Sequence, residues 1–336
     1  MRVYSIYIED CLPPRHCSIR RLRRLHQGGA RSPLDPPKVL RRGLVMTEFE
    51  LIETFLRPFG GGEGVGSDCA AVKVTRGMQL VATTDAIVQG VHFTLPRFSP
   101  EDVGWKALAV NLSDLAAAGA KPRWFLCALG VPPRTARLAE RIARGMAKLA
   151  NSSGCKLVGG NVTRSSEWSI TITALGEARR PLTRFGARPG DALVVAGKLG
   201  DAAAPGAPKA QRRPVPLVDA GMKAGPFASA SIDVSDGFVQ DLGHLCDASG
   251  VGAVVECSAL PLGPAARALP HGMELALSGG EDYALIWSVP RAKVAALRRV
   301  VKCVQVGRIT RAPGIQLTEL GVPRPLPARR GFDHLG

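Results

Sequence analysis

Four short segments of this 336-residue chain carry aspartates where the chain should end a strand, leave a loop or pass through a helix. They are Gly66-Ser67-Asp68, Thr83-Thr84-Asp85, Asn111-Leu112-Ser113-Asp114 and Ile232-Asp233-Val234-Ser235-Asp236-Gly237. Each aspartate taken singly reads as a helix cap or a turn residue. Taken together, Asp68, Asp85, Asp114, Asp233 and Asp236, with the hydroxyls of Thr83 and Thr84, form an all-oxygen donor set. Carboxylates gathered in one place repel and raise one another's pKa unless cations hold them ionised. Mg2+ suits such a set, because it keeps several waters and bridges phosphates through a few carboxylates. Several Mg2+ ions at a phosphate act chiefly as an electrostatic clamp.

Two Gly-Gly pairs, Gly159-Gly160-Asn161 and Ser278-Gly279-Gly280-Glu281, read as tight turns whose backbone N–H groups could also approach a phosphate. No P-loop pattern occurs. Arg164 and Arg184 could pair with phosphate oxygens or be solvated surface arginines. His92, after Gly90, could bond a ligand or be an ordinary strand-end histidine.

These residues need a scaffold. Phe49, Ile52, Phe55 and Leu56 predict a helix that stops at Pro58. A Gly-rich loop covers 59–66. Strands are expected at Val72–Val74 and Gln79–Thr84, then a long helix opening at Pro100 with Trp105, Leu108, Leu112 and Leu115 turned inward. Trp124–Val131 reads as a strand, Thr135–Ser153 as a helix, and Cys155–Val158 as a strand running into Gly159. Ser169–Leu175 alternates strictly and reads as a strand. The turn-rich region Glu177–Gly190 marks a boundary. Beyond it, Ala192–Ala196, Ala230–Val234, Gly252–Glu256, Ala284–Val289 and, as the last strand, Cys303–Gly307 are interleaved with helices at Phe238–Ala248 and Ala292–Arg299. Ala202–Arg213 reads as a loop. Both halves mix strands and helices, so two α/β domains are expected, 46–180 and 181–336.

The formal charge is +16, and residues 1–45 carry ten Lys/Arg against three Asp/Glu. This basic leader lacks the apolar core of a secretory signal. It could be a transit peptide, although it has little Ser and no clear amphipathic period. We read Met46 as the start of the body, with the leader disordered or not translated. Basic charge would attract polyanions, nucleic acid included. No zinc-finger spacing, RNP-like aromatic motif or long basic helix supports nucleic acid, and none is expected as a partner. No apolar run is long enough for a transmembrane helix. Eight cysteines without Cys-x-x-Cys spacing read as core residues of a reducing, cytoplasmic compartment.

The segments resemble the thiamine-monophosphate kinase family. The resemblance rests on Gly66-Ser67-Asp68-Cys69-Ala70-Ala71, Thr83-Thr84-Asp85 with Gly90-Val91-His92-Phe93, Trp105–Ala117, Ile232–Gly237 and Ser278-Gly279-Gly280-Glu281-Asp282-Tyr283, in that family's order. It runs from about Met46 to Phe332. It implies a two-domain fold like that of aminoimidazole ribonucleotide synthetase, with an N-terminal mixed sheet forming a homodimer interface and a C-terminal α/β domain. It implies ATP-dependent phosphorylation of thiamine monophosphate to thiamine diphosphate. By position, Asp68, Thr83, Thr84, Asp85, Asp114, Asn161, Asp233 and Asp236 would hold Mg2+. Gly160, Asn161, Arg184 and Ser235 would contact ATP. His92, Glu281 and Phe332 would face the thiamine phosphate, with Phe332 covering the thiazolium ring. No general base is implied. The family usually has Asp where this chain has Ser67 and Asn161, which removes two charges from the expected metal site. Two alternatives share the resemblance: another ATP-using enzyme of the superfamily with a different small substrate, and a metal-impaired paralogue that binds without turnover.

Overall fold

The computed structural model describes residues 46–61, 68–206 and 208–332. Residues 1–45 and Ser67 lie outside the described residues, and so do the expectations attached to them. The described residues belong to one compact unit.

The first sheet is built from β1 (Gln79–Val88), β2 (Lys121–Val131), β3 (Lys156–Arg164) and β4 (Ser169–Ala178), in the order β1-β4-β2-β3. Only the β2–β3 pair is parallel; the other two pairs are antiparallel. Alternation gives the sheet two unlike faces. Ile87, Ile170, Ile172, Ala174, Phe125, Cys127 and Leu129 are buried beneath helices. Ala82, Thr84, Ala86, Leu126, Ala128 and Asn161 are exposed on the opposite face.

Three helices serve this half: α1 (Glu48–Leu56), α2 (Pro100–Ala117) and α3 (Ala139–Ser153). Helix α2 begins with a capping box in which Ser99 and Asp102 satisfy each other's backbone N–H groups. It is buried along most of its length, and its partners include β1, β4 and α3 on one side and β6 (Ala230–Asp233) on the other. That double burial explains how a helix can carry Lys106, Asn111, Ser113 and Asp114 into the interior: each points at a partner instead of at solvent.

The second sheet completes β5 (Ala192–Ala196) and β6 with β7 (Gly252–Glu256), β8 (Leu285–Val289), β9 (Val304–Thr310), β10 (Gly314–Glu319) and β11 (Val322–Arg324). Its order is β11-β10-β7-β9-β5-β8-β6, with β10–β7 the one parallel pair. Strands β5 and β8 are buried throughout. Helices α4 (Lys209–Arg212) and α5 (Val218–Ala224) lie between β5 and β6 in the chain, and α6 (Phe238–Ser249) between β6 and β7. Among the described residues, no helix is long and apolar enough to cross a membrane.

Several expectations are corrected. Helix α1 buries Leu51 and Phe55, whereas Phe49 is exposed, so the inward stripe is offset from the one expected. Val72–Val74 pairs with no strand. Residues 133–138 form a 3-10 helix before α3. Two strands follow the one expected to be last. The segment 202–213 is not all loop, since α4 lies within it. Gly159-Gly160-Asn161 is no turn: it lies inside β3, just past a register shift, paired with Leu126, Cys127 and Ala128. A Cβ on Gly160 would lie 1.9 Å from the Cys127 carbonyl oxygen, so glycine is needed for close approach of two strands.

Candidate active site

Three elements bring carboxylates together. Strand β1 supplies Thr83 and Asp85, helix α2 supplies Asp114, and β6 with the loop after it supplies Asp233 and Asp236. The Thr83 hydroxyl donates to Asp114 Oδ2 at 2.5 Å, and the Asp85 N–H donates to Asn111 Oδ1 at 3.0 Å. The Asn111 amide in turn donates to the Ala107 carbonyl. The end of β1 is thereby pinned to the middle of α2. From the same helix, the Ser113 hydroxyl donates to Asp233 Oδ2 at 2.6 Å, which pins α2 to β6.

The electrostatics record the crowding. Asp85 is pushed up to about 7, first by loss of solvent around its carboxyl, then by Asp114 and Asp236. Burial also raises Asp114, against the opposing pull of the Thr83 bond and the Arg184 charge. Asp85 and Asp114 are close enough for each carboxyl to shift the other. Burial, with Asp114, Asp241 and Asp85 adding repulsion, pushes Asp233 up to about 8. Asp85, Asp114, Asp233 and Asp236 lie close enough to shift one another's titration, and as hard oxygen donors with little positive charge beside them they suit divalent cations that prefer oxygen.

The loop after β6 is held from behind. Asp241, buried on α6, accepts N–H bonds from Ser235, Asp236 and Gly237, each at 3.0 Å. Burial nonetheless leaves its carboxyl at about 7. Asp236, Asp241 and His244 each place a donor atom within 4.8 Å of the others. The Glu281 N–H donates to the Ser235 carbonyl at 2.7 Å and the Phe332 N–H to the Asp236 carbonyl at 2.9 Å. Loops 235–237 and 279–283 and the C-terminal segment thus meet at one place. A Cβ on Gly280 would lie 2.6 Å from the Ser235 carbonyl oxygen, so this contact also depends on glycine. Glu281 and Tyr283 both have positive φ, a strained conformation for non-glycine residues.

The chain is similar to known proteins. A family model described as AIR synthase related protein, N-terminal domain, matches residues 66–178. Thiamine-monophosphate kinase of Salmonella typhimurium is 41% identical over 256 residues, covering 70% of this chain and 78% of the relative. The chain belongs to the thiamine-monophosphate kinase family. Solved structures agree with that membership. The enzyme from Stenotrophomonas maltophilia K279a matches with a TM-score of 0.73 and 33% identity, covering 83% of this chain and 98% of that one. The structure of AaThiL complexed with AMPPCP and TMP matches with a TM-score of 0.71 and 30% identity, covering 88% and 100%.

Against this family's pattern, the expected site residues separate into groups. Thr83, Asp85, Asp114, Asp233 and Asp236 are gathered as described, and Ser235 lies in the same loop. Arg184 is exposed, with its charge felt by Asp114. His92 and Glu281 meet through a shared partner, Lys106. Phe332 is exposed beside the Asp236 loop, with the Arg329 guanidinium 5.8 Å from its ring. Asp68 is exposed next to residues that are not described. Thr84 turns to the open face of the first sheet and bonds the Ile172 carbonyl and Thr173. Asn161 is also on that face. The row Ala86–Thr171–Ala128–Asn161 puts it three strand spacings from β1, roughly 14 Å. The structure does not bring Asn161 to the carboxylates of its own chain. A cavity of about 400 Å3 lined by Thr183, Phe185, Arg188 and Lys293 contains none of the clustered carboxylates.

Sequence reasoning passed over Lys106, Asn111, Ser113, Asp241 and Asp282 as site residues. Asp282 accepts N–H bonds from Gly200 and Ala202 and anchors the Glu281 turn to the strand-exit loop after β5. The legible signal was polarity at inward helix positions: Lys106, Asn111 and Ser113 share α2 with an otherwise apolar buried surface.

Proposed function

We propose that this chain transfers the γ-phosphoryl group of ATP to the phosphate of thiamine monophosphate, giving thiamine diphosphate and ADP. The observation that carries the reading is the convergence of Asp85, Asp114, Asp233 and Asp236, from three separate stretches, in a chain of this family. AaThiL complexed with AMPPCP, an ATP analogue, and TMP supports the choice of both substrates.

Mg2+ ions would be held by Asp85, Asp114, Asp233 and Asp236, with Thr83 nearby and Asp68 joining from the resemblance; Thr84, turned to the open face, does not reach this cluster in its own chain. They supply positive charge that offsets repulsion between two polyanions. Ser235, Arg184, Gly160 and Asn161 are assigned to ATP, and His92, Glu281 and Phe332 to thiamine monophosphate. The acceptor is already a phosphate oxygen with a second pKa of about 6, so it is largely ionised at neutral pH. An acceptor oxygen attacks the γ-phosphorus, the bond to the β-phosphate oxygen breaks, and ADP leaves with that electron pair. No residue has to remove a proton. The protein's work is in-line placement and charge compensation.

Gly160 and Asn161, on the edge and face turned away from the cluster, would serve a site shared with a second copy. A homodimer through the first sheet is part of this reading. It is supported by the open face of small and apolar side chains, Ala82, Ala86, Leu126 and Ala128. The division into halves 46–180 and 181–336 is supported by the two separate sheets. A cytoplasmic setting is supported by free thiols at Cys69, Cys127, Cys155, Cys246, Cys257 and Cys303. A coupled assay of ADP release tests the function. ADP release should require thiamine monophosphate and Mg2+ together. ADP release indifferent to thiamine monophosphate would point to another substrate in the superfamily.

A further inference from the structure

We propose that Lys106 is a positioning residue that sets His92 and Glu281 for the acceptor substrate, an inference that rests on the function proposed above. Lys106 is fully buried on α2, a place where a cation is costly unless it is paired and hydrogen-bonded. An apolar side chain would fill the position without that cost. What the ammonium supplies is a single point of attachment for two distant segments. Its Nζ donates to the His92 carbonyl at 3.0 Å and to Glu281 Oε1, and it lies 5.2 Å from the centre of the Phe98 ring. The first bond fixes the turn after β1. That turn is closed from inside, because the Val88 N–H donates to His92 Nδ1 at 3.1 Å and the His92 N–H to the Val88 carbonyl at 2.9 Å. The second bond fixes a carboxylate whose backbone is held in a strained positive-φ turn.

The other oxygen of Glu281 is held too, by Gln211 Nε2 at 2.8 Å. Gln211 lies on α4, and the segment around it is clamped to α2. The Trp105 indole N–H donates to the Pro214 carbonyl at 2.7 Å, and Arg213 pairs with the buried Asp102. Lys106 therefore sits where the β1 turn, the Glu281 turn and the α4 segment are joined. It touches none of the clustered carboxylates in any described hydrogen bond or ion pair. Its removal should loosen acceptor binding while leaving the machinery around Asp85 and Asp114 assembled.

Steady-state kinetics of the full chain, wild type against Lys106→Met, tests this. The expected result is a rise of about tenfold or more in KM for thiamine monophosphate, with KM for ATP within about twofold and kcat within about threefold. Lys106→Gln keeps a donor for the His92 carbonyl and should fall between the two. It carries the test alone if Lys106→Met does not fold. An unchanged KM for thiamine monophosphate in a folded variant would overturn the proposal. So would equal rises for both substrates, the signature of general loosening. If the wild type itself does not turn over thiamine monophosphate, the function proposed above fails, and this proposal falls with it for that separate and visible reason.

Discussion

Asp85 and Asp114 repel each other in a place short of solvent, where in water both would be charged. Cations held by these carboxylates would relieve that repulsion. In the unfolded chain aspartates titrate near 4. In the folded protein Asp85, Asp241 and Asp282 titrate at about 7 and Asp233 at about 8. Between those limits the folded state binds more protons than the unfolded one, so the stability these groups contribute is lost progressively as pH rises from about 4 to the folded values of about 7 and about 8. Metal-free protein should therefore melt at a lower temperature at about pH 8 than at about pH 5, and millimolar Mg2+ should reverse most of that fall. Calorimetry with and without a chelator checks it; a flat profile would mean the carboxylates are not coupled. Asp85→Asn removes one repelling charge. It should reduce turnover at least about a hundredfold while raising the metal-free melting temperature at pH 8. Near-normal turnover at limiting Mg2+ would remove Asp85 from the site.

At the scale of elements, helix α2 and strand β3 carry the argument in opposite ways. Helix α2 delivers Lys106, Asn111, Ser113 and Asp114 because both of its sides are buried. Strand β3 runs through Gly159 and Gly160, and Gly160 sits against the backbone of β2 without space for a side chain. Gly160→Ala should destabilise the fold by about 2 kcal/mol, because one added methyl must push strand from strand. Thermal melting measures it, and an unchanged midpoint would mean that the β2–β3 contact is easily relaxed. The same pair shows where the sequence was legible and where it was not. Asp85, Asp114, Asp233 and Asp236 could be found because carboxylates among apolar residues stand out locally, although β1 runs on to Val88 and holds Asp85 inside the strand, not at the strand end expected at Thr84. Gly159-Gly160 looked like a turn because local chemistry favours one. Its true setting depends on pairing with residues 126–127, which no local window contains. Asn161 followed it onto the open face for the same reason. Lys106 was visible as a lysine on an apolar helix, but its two partners lie 14 and 175 residues away.

For the whole molecule, the open face of the first sheet matters most after the carboxylates. Ala128→Arg puts a long cation at the centre of that face without touching the core. It should convert a dimer to a folded monomer, read by sedimentation, and activity should fall with it if Asn161 serves a shared site. A dimer unaffected by the substitution would put the interface elsewhere. Phosphorus NMR of a running reaction follows the transfer itself. With ATP, Mg2+ and thiamine monophosphate, thiamine diphosphate and ADP should grow in together, one for one, and neither should form after chelation. ADP without thiamine diphosphate, or no change in any phosphorus signal with folded protein, would contradict the account.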